Sequence, residues 1–115
     1  MKKAITFEEF QRGAAETAIY PNRGELLGIT YTALGLNGEA GEVGEVVKKT
    51  LRDHNGVFDD ERKKLLAKEM GDVLWYLAET ATQVGLSLGD IAAGNHAKLK
   101  DRQDRGVLRG DGDER

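Results

Sequence analysis

Cysteine is missing from the 115 residues, which removes disulfides, thiolate metal sites and cysteine nucleophiles together. Two histidines are too few for a histidine-rich metal site. A single proline, with three Phe, three Tyr and one Trp, supplies neither the turn breakers nor the aromatic packing of a many-stranded sandwich. No apolar run is long enough to span a bilayer. The basic start Lys2-Lys3 leads to acidic Glu8-Glu9 rather than to a signal core, so the chain is expected in the cytoplasm. Basic charge is also in the minority: 17 Lys+Arg stand against 20 Asp+Glu, a net charge of -3. Neither membrane association nor direct nucleic-acid binding is therefore expected, since non-specific affinity for nucleic acid comes from neutralising phosphates. The length suits one domain.

What is present reads as helix. The first segment spans about 6–18 and opens with a capping box, Thr6 and Glu9 three residues on. Tyr20-Pro21-Asn22-Arg23-Gly24 breaks it. The second spans about 25–53 and stops at His54-Asn55-Gly56. The third spans about 60–84, ended by Gly85, and the fourth about 87–105, opened by Ser87 with Asp90 three residues later. Apolar residues at Leu36, Ala40, Val43 and Val47, and again at Leu66, Met70, Val73 and Leu77, step by four, three and four. Each series predicts a helix with one buried stripe. The expected architecture is an all-α, four-helix bundle-like domain over residues 1–105, followed by a glycine- and charge-rich C-terminal tail over 106–115. Gly35, Gly38, Gly41 and Gly44 lie inside the second helix, each costing about 1 kcal/mol relative to alanine, so close approach of another helix or a ligand is expected there.

A short internal echo carries the chemistry. Glu39-Ala40-Gly41-Glu42-Val43 in the second helix is answered by Glu69-Met70-Gly71-Asp72-Val73 in the third. Each acid stands one residue before a stripe position, so stripes that pack together would bring all four acids to one edge of the interface. Glu45 has Lys48 and Lys49 within one turn and reads as an ordinary surface ion pair. Glu39, Glu42 and Glu69 have no base three or four residues away, and Asp72 has only Lys68. Two carboxylates about 5 Å apart repel by roughly 3 kcal/mol at an effective dielectric near 20. Four beside an apolar stripe need a compensating cation, and all-oxygen ligands suit Mg²⁺, with Mn²⁺ as a substitute. A di-iron bundle would need Glu-x-x-His on two helices. Leu51 precedes His54 and Ala93 precedes His96 by three, so that reading fails.

These residues resemble the all-α nucleoside triphosphate pyrophosphohydrolases of the MazG type, whose hallmark is E-x-x-E on one helix and E-x-x-D on the next. Glu39/Glu42 and Glu69/Asp72 fill those places, and Asn95-x-x-Lys98-x-x-x-Arg102 follows, then Arg105-Gly106 and Gly110-Asp111-Gly112-Asp113-Glu114-Arg115. The ending is similar to that of compact, single-domain members from bacteria and their phages. The resemblance implies hydrolysis of a nucleoside triphosphate to monophosphate and pyrophosphate, in nucleotide-pool control or housecleaning, by a homodimer or homotetramer. It implies that Glu39, Glu42, Glu69 and Asp72 hold Mg²⁺, which bridges phosphate oxygens and helps generate hydroxide from water. Lys98 and Arg102, with Lys48 or Lys49, would neutralise the triphosphate, and Asn95 would position the metal–phosphate assembly or the sugar.

One position departs from the pattern. Many members carry a further Glu at the place of Gly38, as a candidate base for the attacking water. Here Glu39, Glu42, or Glu45 reaching in would take that role, or metal-bound hydroxide would act alone. The same departure supports an alternative, a metal-dependent nucleotide-binding or regulatory bundle without hydrolysis. At 100° per residue Tyr76 shares a face with Glu69 and Asp72 and is a candidate nucleotide contact, whereas Trp75 points elsewhere and reads as core or subunit interface. Phe10 and Tyr20 are candidates to line a base pocket but read first as packing aromatics, and His54 and His96 read as a helix-end residue and a surface residue.

Overall fold

The computed structural model describes residues 2–115. Among them there is no strand. The chain forms α1 (Phe7–Glu16), α2 (Leu26–Asp53), α3 (Asp60–Gln83) and α4 (Leu88–Asp104). Local chemistry sets these ends. The Thr6 hydroxyl accepts from the Glu9 amide while the Glu9 carboxylate accepts from the Thr6 amide, closing the capping box at α1. Asp59 and Ser87 cap α3 and α4 by accepting from the amides of Arg62 and Asp90. α2 has no side-chain cap and is started by the turn before it, where Asn22 and Gly24 both adopt positive φ. α2 ends at Asn55 and Gly56, again with positive φ, and the Gly56 amide donates to the Thr50 carbonyl.

α2 and α3 form a long antiparallel hairpin of 28 and 24 residues. α1 packs on α3, and α4 packs on α1 and α3 without reaching α2. The core lies where those three helices meet: Ala14, Ala78 and Leu88 are buried, with Phe10 and Trp75 packed against them. It is small, and the radius of gyration of 16.9 Å exceeds the ~13 Å of a compact chain this long. Among the described residues no helix is long and apolar enough to cross a membrane.

The two apolar stripes do not bury against each other within the chain, contrary to the periodicity-based expectation. Ala40, Val43, Met70 and Val73 instead line an open groove together with Leu74. The α2–α3 seam beside that groove is built from small and polar groups, which turns the stripes to one side. Thr80 donates to Thr32, Gln83 donates to Thr32 and to the Gly28 carbonyl, and Arg62 donates to Thr50 and the Val46 carbonyl. Of Gly35, Gly38, Gly41 and Gly44 only Gly35 offsets its helix cost by close approach, because a Cβ there would stand 2.2 Å from the Tyr76 ring. Gly38, Gly41 and Gly44 meet nothing within 4 Å among the described residues.

Residues 106–115 carry no helix or strand but fold back on α4. Asp113 accepts from Lys98 and Arg102, and the Arg115 guanidinium donates to the carbonyls of Val107, Leu108 and Gly112. The expected tail is thus an anchored loop held by charge-assisted hydrogen bonds rather than by apolar packing.

Candidate metal centre

The polar seam between α2 and α3 carries an acidic cluster midway along its length. Glu39 from α2 and Glu69 and Asp72 from α3 each place a carboxylate oxygen within 4.8 Å of the others. None of the three forms an ion pair among the described residues; the chain's ion pairs use other acids. Partial burial pushes the Glu39 carboxyl above its ordinary range, and the charges of Asp72, Glu69 and Glu42, with a hydrogen bond to Glu69, add to the rise. Oxygen donors alone, gathered from two helices and lacking a protein cation, match the ligand chemistry of a hard divalent ion.

Glu42, one turn beyond Glu39, is exposed and stands outside that set of three, although its charge reaches Glu39. Glu45 is engaged elsewhere: Lys48 donates to it at 2.7 Å, Lys49 lies at 3.9 Å, and the two lysines hold its carboxyl below the usual range. This corrects the suggestion that Glu45 reaches in as a base, and it leaves Lys48 and Lys49 neutralised by their own helix. The five candidates on α2 thus divide into one cluster acid, Glu39, one free acid, Glu42, and a surface ion-pair group of Glu45, Lys48 and Lys49.

Beside the acids lies a pocket of about 360 Å³ lined by Thr17, Glu39, Asp72, Trp75 and Tyr76. Tyr76 reaches it because Gly35 leaves room for its ring on α2. Trp75 packs against the core, as expected, and also lines this pocket. Helical angles separate Trp75 from Tyr76, but the end of α1 comes up beside α3, and the indole donates to the Thr17 hydroxyl at 2.8 Å. The two rings meet edge to face at 5.0 Å between centroids. Thr17 carries no motif, and only the contact between α1 and α3 reveals it as a pocket residue.

Asn95, Lys98 and Arg102 are not in that pocket. Asn95 is exposed on α4, and Lys98 binds Asp113 at 2.8 Å. Arg102 is buried and also held by Asp113, so in this chain it anchors the C-terminal loop rather than a free anion.

A second polar cluster escaped the sequence reading. Glu79 on α3 is fully buried and accepts from the Tyr20 hydroxyl at 2.5 Å and from Nε and Nη2 of the Arg23 fork at 2.8 and 3.1 Å. Burial alone would raise the Glu79 carboxyl, but hydrogen bonds from Arg23 and Tyr20 outweigh it and hold the group below its ordinary range. Burial and the neighbouring carboxylate push the Tyr20 phenol up to about 12. The step from Asp72 through Tyr76 to Glu79 follows one face of α3, the only hint available in the sequence.

The chain is 45% identical over 109 residues to the "Gene 37 protein" of Mycobacterium phage L5, covering 92% of this chain and 96% of that one. No solved structure gives a significant match. The profile of the MazG nucleotide pyrophosphohydrolase domain matches residues 28–107, a span that contains both acidic pairs, and the chain therefore belongs to the MazG nucleotide pyrophosphohydrolase family.

Proposed function

We propose that the chain hydrolyses a nucleoside or deoxynucleoside triphosphate to its monophosphate and pyrophosphate in a Mg²⁺-dependent reaction, serving nucleotide-pool control or housecleaning. The observation that carries this reading is the meeting of Glu39, Glu69 and Asp72 beside an aromatic-walled pocket. Those three carboxylates would hold the ion. When bound, a divalent ion supplies charge neutralisation and Lewis acidity at the phosphates.

The chain's own residues supply the rest. Trp75 and Tyr76 offer ring faces to a base or sugar at one side of the acids. Glu42 is the acid left over, exposed and unpaired among the described residues, and it either completes the ligand set or takes the proton of the attacking water. Asn95, Lys98 and Arg102 lie outside the pocket of their own chain. A role for them on the triphosphate requires release from Asp113 or delivery from a second copy.

A homo-oligomer is part of the reading. The apolar groove of Ala40, Val43, Met70, Val73 and Leu74 runs along the two helices that carry the acids, and a second copy of the chain is its proposed occupant.

Incubation with a panel of ribo- and deoxynucleoside triphosphates and Mg²⁺ tests the proposal, with product identity as the readout. Monophosphate and pyrophosphate are expected, and Asp72→Asn or Glu42→Gln is expected to lower kcat by about 100-fold or more with helicity intact. Glu45→Gln is expected to stay within about twofold of wild type. Release of orthophosphate, or no turnover across the panel, overturns the hydrolytic reading. Metal-dependent nucleotide binding without turnover would establish the second reading, a nucleotide-binding regulator, which the glycine at position 38 favours.

A further inference from the structure

The buried Glu79 cluster has no part in the reaction as described, yet it is built with more polar precision than packing requires. Only the Glu79 side of this ion pair is buried, and such a pair contributes little net stability compared with apolar residues of the same volume, so packing alone does not account for it. All three donors to Glu79 come from the segment between α1 and α2, where Tyr20 and Arg23 stand on either side of Pro21 and Asn22. The Tyr20 ring then stacks on Tyr31 at 5.2 Å and meets the edge of Trp75 at 6.1 Å. Tyr31 meets Tyr76 at 6.5 Å, and Trp75 meets Tyr76 at 5.0 Å, so the four rings close into a cycle. Two members of that cycle, Trp75 and Tyr76, form the wall of the acidic pocket. The start of the same segment holds the wall from its other side, through Thr17 and the Trp75 indole.

We propose that Glu79 is a positioning residue: by fixing Tyr20 and Arg23 it sets the Trp75–Tyr76 wall against which the base of the nucleoside triphosphate rests. The inference rests on the nucleotide reading above and extends it to residues one and two contacts away from the pocket. Glu79 itself touches neither the pocket nor the acids. Its effect is therefore expected on substrate affinity rather than on the chemical step.

Tyr20→Phe removes the latch hydroxyl and keeps the ring, and Arg23→Lys keeps the charge and loses the fork. Both are expected to raise KM for the triphosphate about fivefold or more while kcat changes less than about twofold. Because Trp75 is the single tryptophan, its fluorescence and near-ultraviolet circular dichroism report the wall directly, and both are expected to change in the two variants before any nucleotide is added. Glu79→Gln is expected to follow the same pattern; should it fail to fold, Tyr20→Phe and Arg23→Lys still decide. Arg62→Ala serves as the control, since it cuts the seam at its opposite end and is expected to lower stability with KM unchanged. Unchanged KM and unchanged Trp75 spectra in Tyr20→Phe and Arg23→Lys, in a wild-type background that turns over triphosphate, overturn the latch alone. A wild type that neither binds nor hydrolyses nucleotide overturns the functional reading and the substrate half of the latch, while the Trp75 spectra still decide whether Glu79 positions the wall.

Discussion

Glu39 stands among like charges. Partial burial comes first among the causes that raise its carboxyl, followed by the charges of Asp72, Glu69 and Glu42 and a hydrogen bond to Glu69. An unfolded glutamate titrates near about 4.3. The folded carboxyl titrates higher, so between those two values the native state holds more proton than the unfolded state. Stability from this group is then present at low pH and is lost as pH rises through the folded value. In the metal-free protein Glu39→Gln is expected to remove that loss and to raise the melting midpoint at neutral pH by a few degrees. Other groups titrate with the opposite sign, among them Glu79 and Asp113 with lowered carboxyls, so the difference between wild type and variant isolates Glu39. Mg²⁺ is expected to raise the midpoint of wild type by mass action and to do little for the variant. Thermal melts between about pH 5 and 8, with and without Mg²⁺, check both arms. A variant that melts below wild type at neutral pH without metal would contradict the crowding.

At the scale of the element, glycine placement in α2 separates faces that sequence periodicity treats alike. Gly35→Ala would gain about 1 kcal/mol of helix propensity but would drive a methyl group into the Tyr76 ring, 2.2 Å away. Overpacking of that kind costs roughly 1–3 kcal/mol, so the variant is expected to be less stable and to disturb the pocket wall. Gly38→Ala, at a position with nothing within 4 Å among the described residues, is expected to gain stability instead. Urea titrations of the two variants give the sign of each. The same contrast explains what could be read in advance. Helix ends were legible because caps are local: Thr6 with Glu9, Ser87 with Asp90, and the Asn55-Gly56 stop all act within a few residues. The acidic pairs were legible as a repeated spacing on two helices. Thr17, Tyr20, Arg23 and Glu79 were not, because their meaning lies in contacts 56 to 59 residues apart for the latch and 58 for Thr17 with Trp75. A stripe of apolar residues, likewise, states that a face is to be covered and leaves open what covers it.

At the scale of the whole molecule, the two long helices leave apolar surface open. Val47, Met70 and Leu77 are 42%, 53% and 38% exposed on helices whose periodicity calls for burial. The groove of Ala40, Val43, Met70, Val73 and Leu74 is almost wholly apolar and follows the α2–α3 hairpin. A Cβ at Gly41 or Gly44 on the same helix would meet nothing within 4 Å among the described residues, and small residues of this kind allow a second backbone to come close. A second copy seated there would account for both the stripes and the extended shape of the single chain. Wild type is accordingly expected to sediment as a dimer or larger species at micromolar concentration, whereas Val43→Lys or Leu74→Lys places a charge in the groove and is expected to sediment as a monomer. The cluster of Glu39, Glu69 and Asp72 is assembled within one hairpin, so the monomeric variants are expected to keep their stabilisation by Mg²⁺. Turnover divides two possibilities. If Asn95, Lys98 and Arg102 serve the pocket from another copy, the monomeric variants lose turnover while still binding the ion. If release from Asp113 within the chain is what frees them, turnover survives dissociation, and Asp113→Asn increases it. A wild-type chain that sediments as a monomer would leave the groove without its proposed occupant and confine the whole reaction to one hairpin.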